Sequence, residues 1–173
     1  FTQAAGKMIT SARTVGISAS DVTVETITAV GAVDVDASGT LAVNEALETT
    51  SALGTVTLEA DGAFTMSSDA EINAAAAVDI ATGAAATIQK IDAAGNVDID
   101  AVAAITINEA VATTAGGTID LTSTTASITM ANGTTLNGDG ATTLAAATTI
   151  TSKTINVSDM LTITAGGDID AEG

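Results

Sequence analysis

The sequence repeats with a period of 64 residues, and this repeat constrains the fold more than any other feature. The segment VDVDA at residues 33–37 returns as VDIDA at residues 97–101, and LAVNEAL at residues 41–47 returns as ITINEAV at residues 105–111. The match runs from residues 33–66 to residues 97–130, with one inserted or deleted residue near Gly54 and Gly117. Self-similarity at a fixed period indicates stacked equivalent units, because a single unit cannot bury its own apolar face.

The composition limits how such units are filled. The 173 residues include two phenylalanines and no Trp, Tyr, Pro, Cys or His, and the net charge is −17. Val, Ile and Leu recur every few residues, which argues against the disorder that high charge and low aromatic content would otherwise indicate. The acidity repels phosphate backbones and anionic membranes, so nucleic-acid binding is not expected. Membrane insertion is not expected either, because no apolar run approaches the roughly 18 residues of a spanning helix.

Short apolar-x-apolar triplets punctuated by Gly, Ala, Asp, Asn, Ser and Thr predict brief β-strands. One set occupies residues 33–35, 56–58, 78–80, 97–99 and 119–121, and its members follow one another by 23, 22, 19 and 22 residues. A second set is placed at residues 41–43, 64–66, 88–91, 105–107 and 128–130. Each 64-residue repeat therefore resolves into three rungs of roughly 21 residues, and the whole chain into about eight rungs.

Strands this short are stable only if each one pairs with its equivalent one rung later. The predicted fold is therefore all-β, a parallel β-solenoid with a shared central column. The inward residues are expected to be Val33, Val35, Leu41, Val43, Val56, Leu58, Phe64, Met66 and their equivalents. The outward residues are expected to be Asp34, Thr57, Thr65, Asp98, Thr106 and Asp120. A β-sandwich is the competing fold, but it needs longer strands and hairpin turns, and Asn-Gly pairs occur only at Asn132-Gly133 and Asn137-Gly138.

The predicted domain organisation is one rod with a distinct beginning. Residues 1–20 depart most from the repeat and are expected to form an N-terminal cap or connector. Residues 21–173 are expected to form a single solenoid, with repeat blocks at approximately residues 33–96 and 97–160 and a partial block at residues 161–173. The number of sheets, two or three, stays open at this point.

Few residues in the chain are suited to catalysis. Without His, Cys or Tyr, nucleophilic triads and most general-base arrangements are excluded. Carboxylate pairs such as Asp34 and Asp36 have the groups that glycosidases use, but residues two apart on a strand share a solvated face. A polysaccharide lyase would need basic residues clustered beside acids, and Lys90 and Lys153 are isolated in the sequence. The chain is predicted not to be an enzyme.

Binding sites are indicated only weakly. Asp98, Asp100, Asp168 and Asp170 are candidate calcium ligands, because Asp-x-Asp pairs near Gly offer hard oxygen donors, and Asn137 with Asp139 is a further pair. None of these pairs matches the EF-hand spacing or the calcium-binding nonapeptide repeat. No other cofactor is expected.

Two further surface functions follow from the sequence. Thr-x-Thr elements suggest an ice-binding surface, which needs hydroxyl groups that repeat identically from rung to rung. The outward position of the first triplet set instead changes between Asp and Thr, which would disrupt such an array. Asn132 and Asn156 begin glycosylation sequons.

The segments GNVDIDA at residues 95–101 and ITAGGDIDA at residues 163–171 resemble the repeats of filamentous haemagglutinin-type adhesins and other giant surface repeat proteins. The resemblance implies a right-handed β-helix in an exported protein at the cell surface, with an adhesive or structural role. We therefore expect a non-enzymatic extracellular rod segment, or a self-assembling subunit of a fibre, adhesin stalk or surface layer. Its expected partner is itself, head to tail or side by side. The alternative is a ligand-binding solenoid that recognises carbohydrate, calcium or ice through an outward Thr/Asp face.

Overall fold

The computed structural model describes residues 1–171 as a parallel β-solenoid of eight rungs. The first four rungs contain β1 (Met8–Ser11), β2 (Val15–Ala19), β3 (Val22–Val24), β4 (Thr26–Ala29), β5 (Val33–Ala37), β6 (Leu41–Val43), β7 (Ala46–Thr49), β8 (Val56–Ala60), β9 (Phe64–Met66), β10 (Glu71–Ala74), β11 (Val78–Thr82) and β12 (Ala86–Ile88). The last four contain β13 (Lys90–Ala93), β14 (Val97–Ala101), β15 (Ile105–Ile107), β16 (Val111–Thr113), β17 (Ile119–Ser123), β18 (Ile128–Met130), β19 (Thr135–Gly138), β20 (Thr142–Ala146), β21 (Ile150–Ser152), β22 (Thr154–Val157), β23 (Leu161–Ala165) and β24 (Ile169–Ala171). In this part of the chain no helix is long and apolar enough to span a membrane.

Every third strand belongs to the same sheet, so the solenoid has three sheets of eight strands each. The first sheet begins with β1, β4 and β7, the second with β2, β5 and β8, and the third with β3, β6 and β9. Each strand pairs in parallel with its equivalent one rung away, as Val33 pairs with Val56. The predicted parallel solenoid is confirmed. At about 4.8 Å per rung, the eight rungs form a rod on the order of 40 Å long.

The core is a single column along the axis of the rod. Alternate residues of each strand point inward, and all eight predicted inward residues are at most 1% exposed. The predicted outward residues all lie on the accessible side of their strands. Since each inward side chain lies between its equivalents on the neighbouring rungs, apolar residues recur once per rung along the column, and the 64-residue repeat spans three rungs.

Differences in rung length are absorbed at the corners. Residues 50–55 and 114–118 join the first and second sheets, and these two segments contain the inserted or deleted residue noted in the repeat. The buried hydroxyl of Thr49 donates to the Gly54 carbonyl at 2.6 Å, and that of Thr113 donates to the Gly117 carbonyl at 2.6 Å. Thr49 and Thr113, which are 64 positions apart, thus make the same hydrogen bond at equivalent corners.

One predicted strand was misplaced. The sequence pattern put a strand of the second triplet set at residues 88–91, whereas the structure has β12 at Ala86–Ile88 in the third sheet and assigns Ile91 to β13 in the first. Ala86 pairs with Phe64, so a small inward residue lies beside a large one. Because Ala86 is too small to mark a strand by its hydrophobicity, the pattern shifted to the next large residues.

The beginning of the chain already follows the repeat. Residues 1–20 align with residues 64–83 at a spacing of 63, with Phe1 on Phe64 and Ile9 on Ile72. Met8–Ser11 and Val15–Ala19 are the first strands of the first and second sheets. Thr2 forms a parallel bridge with Thr23, one rung before β3. The proposed division at residue 20 stays a prediction.

Candidate functional site

The outward faces of the three sheets are the candidate functional surfaces, because the interior is filled by the apolar column. Two open grooves lie at the corners. One, of about 230 Å³, is lined by Thr113, Asn137, Gly138, Asp139, Asn156, Val157 and Ser158. The other, of about 200 Å³, is lined by Asp36, Ala37, Glu59, Ala60, Asp61, Ala81 and Gly83.

The second sheet presents an acidic face. Its outward carboxylates are Asp34, Asp36, Glu59, Asp79, Asp98, Asp100 and Asp120. Asp98 pairs in register with Asp79 on one side and Asp120 on the other. Three carboxylates therefore follow one another at about the strand spacing of 4.8 Å.

This arrangement changes the titration of the central carboxylate. Partial burial, followed by the charges of Asp100, Asp120 and Asp79, raises the pKa of Asp98 above its usual value. Like charges directly opposite one another on adjacent strands destabilise the pairing. The second sheet is therefore held together at this point despite its carboxylates, by backbone pairing and by the buried residues beneath them.

The predicted calcium ligands are not brought together into one cluster. Asp98 and Asp100 share the outer face of β14, whereas Asp168 and Asp170 are exposed at the third sheet in the eighth rung. Within residues 1–171, no group of three or more carboxylates is arranged to hold a metal ion. The assignment of these four residues as weak calcium ligands stays a prediction.

The other candidate pair, Asn137 with Asp139, lines the larger groove, but its polar groups already have hydrogen-bond partners. An oxygen of Asp139 accepts a hydrogen bond from the Gly116 backbone N–H at 2.7 Å. The amide oxygen of Asn137 accepts one from Asn156 at 2.9 Å.

The sequon residue Asn132 is exposed in a turn before Gly133, whose φ is +82°.

The first sheet carries charges of both signs. Lys90 lies 3.2 Å from a carboxylate oxygen of Glu71 and 3.0 Å from one of Asp92. The hydrogen bonds to Asp92 and Glu71 raise the pKa of Lys90. Because all three side chains are partly exposed, this cluster contributes little to stability.

The third sheet has a different surface, which sequence reasoning missed. Its central outward positions in rungs two to seven are Ala42, Thr65, Thr87, Thr106, Thr129 and Thr151. Two positions earlier in the same rungs are Thr40, Ala63, Ala85, Ala104, Ser127 and Thr149. We call these twelve positions the threonine face. The misplaced strand at residues 88–91 hid Thr87, so an unbroken column of five threonines was not recognised.

The chain was compared with models of protein families, with curated proteins and with solved structures, and none of the three comparisons found a match.

Proposed function

We propose that this chain is a non-enzymatic structural element of an extracellular surface fibre, of the filamentous haemagglutinin type or a related repeat class. The observation that carries the proposal is the continuous inward column shared by three eight-stranded parallel sheets. A stack of this kind transmits order along its axis, because each rung is stabilised by its neighbours. The resemblance of residues 95–101 and 163–171 to adhesin repeats supports the export and surface location.

The surface chemistry agrees with a structural role. Both grooves are open, and they are lined by Asn, Asp, Glu, Ser, Thr and small residues without an aromatic platform. Net charge of one sign keeps isolated rods apart in dilute solution. Association with further copies, end to end through strand edges or side by side, is the partner interaction that we propose.

The test combines location with binding. Antibodies against the chain should label intact cells of the source organism, and labelling that requires permeabilisation would contradict the proposal. Titration calorimetry with a panel of glycans should give no saturable heat, whereas a defined stoichiometry would favour a recognition module.

The acidic face of the second sheet supports one alternative, a calcium-binding module. Calorimetry with calcium chloride tests it. A saturable site that is lost in Asp98→Asn and kept in Asp34→Asn would favour the alternative, and weak heat without saturation would favour the structural role.

A further inference from the structure

We propose that the threonine face, on the third sheet, is the surface through which two copies of this chain associate side by side. The inference rests on the proposed structural role and specifies which face makes the lateral contact. All twelve positions of the face are exposed or half-buried. None is charged and none is larger than threonine, although the chain carries a net charge of −17.

The distribution of charge favours this face over the other two. The second sheet presents seven carboxylates, so two second sheets would repel each other at close range. The first sheet carries Glu48, Glu71 and Asp92 against the single cation Lys90. The third sheet has Asp21 just before its first strand and Asp168 and Asp170 in its eighth rung, all outside the threonine face. Within rungs two to seven, two copies meet with the fewest close like charges when the threonine faces oppose each other.

The threonine column is more regular than the fold requires. Equivalent central positions on the second sheet are Gly16, Asp34, Thr57, Asp79, Asp98, Asp120, Thr143 and Thr162. A parallel solenoid strand therefore accepts glycine, aspartate or threonine at such a site. On the third sheet the same type of position holds threonine in five consecutive rungs.

The hydroxyl groups of this column have no partners within their own chain. In residues 1–171, the hydroxyls of Thr65, Thr87, Thr106, Thr129 and Thr151 make no hydrogen bond to another protein group. They therefore bond to solvent or to another molecule. A second copy of the chain has the same rung spacing, so each hydroxyl of one column can meet a hydroxyl of the opposing column along the full length.

The size of the face determines the strength of the contact. Six rungs at about 4.8 Å and three residues at about 3.3 Å give a face of roughly 30 by 10 Å. Two such faces bury on the order of 600 Å², which is below the range of stable dimers and within that of weak contacts. Association is therefore weak and concentration-dependent for this length of rod, and it strengthens as more rungs align.

The experiment is sedimentation of the intact chain at low and high salt. Repulsion between two strongly acidic molecules is long-ranged at about 0.01 M salt and confined to about 3 Å at 1 M. We expect reversible dimers that increase with salt and with protein concentration. A chain that remains monomeric at 1 M salt and the highest soluble concentration would overturn the inference.

Matched variants locate the interface. Thr87→Glu with Thr106→Glu places two charges on the threonine face, and Thr57→Glu with Thr143→Glu places two on the second sheet, so the net charges are equal. We expect at least about tenfold weaker association for the first pair and a much smaller effect for the second. Equal effects would refute the assignment of the face.

A third variant probes the same face without adding negative charge, in case the glutamate variants fail to fold. Thr106→Arg reduces the net negative charge, so general repulsion falls, but its long side chain prevents close approach of the two faces. We expect weaker association than in the wild type, and stronger association would contradict the inference.

Two further outcomes separate this inference from its alternatives. If the wild type stays monomeric but shapes growing ice crystals, the face binds ice and the inference fails. If small-angle scattering shows a monomeric rod of unchanged length, the lateral face is wrong while the structural role remains open.

Discussion

Thr142 provides the sharpest test of the energetics of the column. It is the first inward residue of β20, and its register partners are Ile119 on one side and Leu161 on the other. The residue is 0% exposed, and its hydroxyl oxygen is the buried side-chain atom of residues 1–171 that has no hydrogen-bond partner. A buried hydroxyl without a partner pays its desolvation cost without compensation.

Thr142→Val should therefore stabilise the protein. Removing the unpartnered hydroxyl recovers about 1–3 kcal/mol, and the added methyl group buries apolar surface in a position where valine or isoleucine occurs on six other rungs. The gain is expected in the lower half of that range, because the hydroxyl lies close to Gly138 and a methyl group is larger. For a chain of this size, 1 kcal/mol corresponds to a shift in Tm of roughly 2–4 °C.

The matched control is Thr113→Val. Thr113 is also buried, but its hydroxyl donates to the Gly117 carbonyl at 2.6 Å and accepts from the Asp139 N–H at 3.1 Å. Removing it leaves the Asp139 N–H without a partner and takes one of two hydrogen bonds from the Gly117 carbonyl, which also accepts from the Gly140 N–H at 2.8 Å. We therefore expect a loss of about 1–3 kcal/mol. Both variants are measured by urea unfolding followed by far-ultraviolet circular dichroism. A Thr142→Val variant no more stable than the wild type, or a shift of both variants in the same direction, would refute the reasoning.

Three further predictions concern single side chains. Since the folded-state pKa of Asp98 is raised, its charge opposes folding at neutral pH, and this penalty fades as the pH falls through the raised pKa and is gone below 3.8. Asp98→Asn should therefore raise the urea midpoint at pH 7, corresponding to about 0.2–1 kcal/mol in the free energy of unfolding, and should have no effect near pH 3. The control Asp34→Asn should change the midpoint little at either pH. In Gly83→Ala the new Cβ would overlap the Asp61 carbonyl of the rung below, costing about 1–3 kcal/mol, whereas Gly16→Ala meets no atom within 4 Å and should leave the midpoint nearly unchanged. Phe64→Ala removes a side chain that is 1% exposed, and a loss of about 3–5 kcal/mol in urea unfolding is expected; a loss below 1 kcal/mol would show that the column collapses around the gap.

The second and third sheets were largely predictable from the sequence, because most of their strands have one large apolar residue on each side of an outward residue. Such a strand is recognised directly from a pair of apolar residues, as Val33 with Val35 or Ile105 with Ile107. The register of the second sheet followed from these triplets, and the structure confirms every predicted step between residues 33 and 121.

The first sheet could not be recognised in the same way. Its strands combine one large inward residue with a small or polar one, as Ile27 with Ala29 and Leu47 with Thr49. Leu136 is followed at the second inward position by Gly138. Hydrophobic alternation therefore marks only one residue per strand, and the 64-residue periodicity of these single residues did not reveal that they form a sheet.

The candidate surfaces were harder to predict because outward positions tolerate many residues. The acidic pair of Asp98 and Asp100 was visible in the sequence, but its in-register neighbours Asp79 and Asp120 matter only once the rungs are aligned. The threonine face required the correct position of β12, since Thr87 completes the column. A local error of two residues in one strand thus concealed a feature that spans five rungs.

The solenoid also determines how these perturbations should be observed. Each rung pairs only with the rungs before and after it, so stability is approximately a sum of nearest-neighbour contributions. A substitution at Gly83 should therefore weaken the pairing around β11 more than that around β20, and a global unfolding midpoint will average the two. Amide hydrogen exchange resolves them, because opening is read strand by strand. If Gly83→Ala lowered protection equally along the whole rod, the rungs would be coupled over longer distances than nearest-neighbour pairing allows.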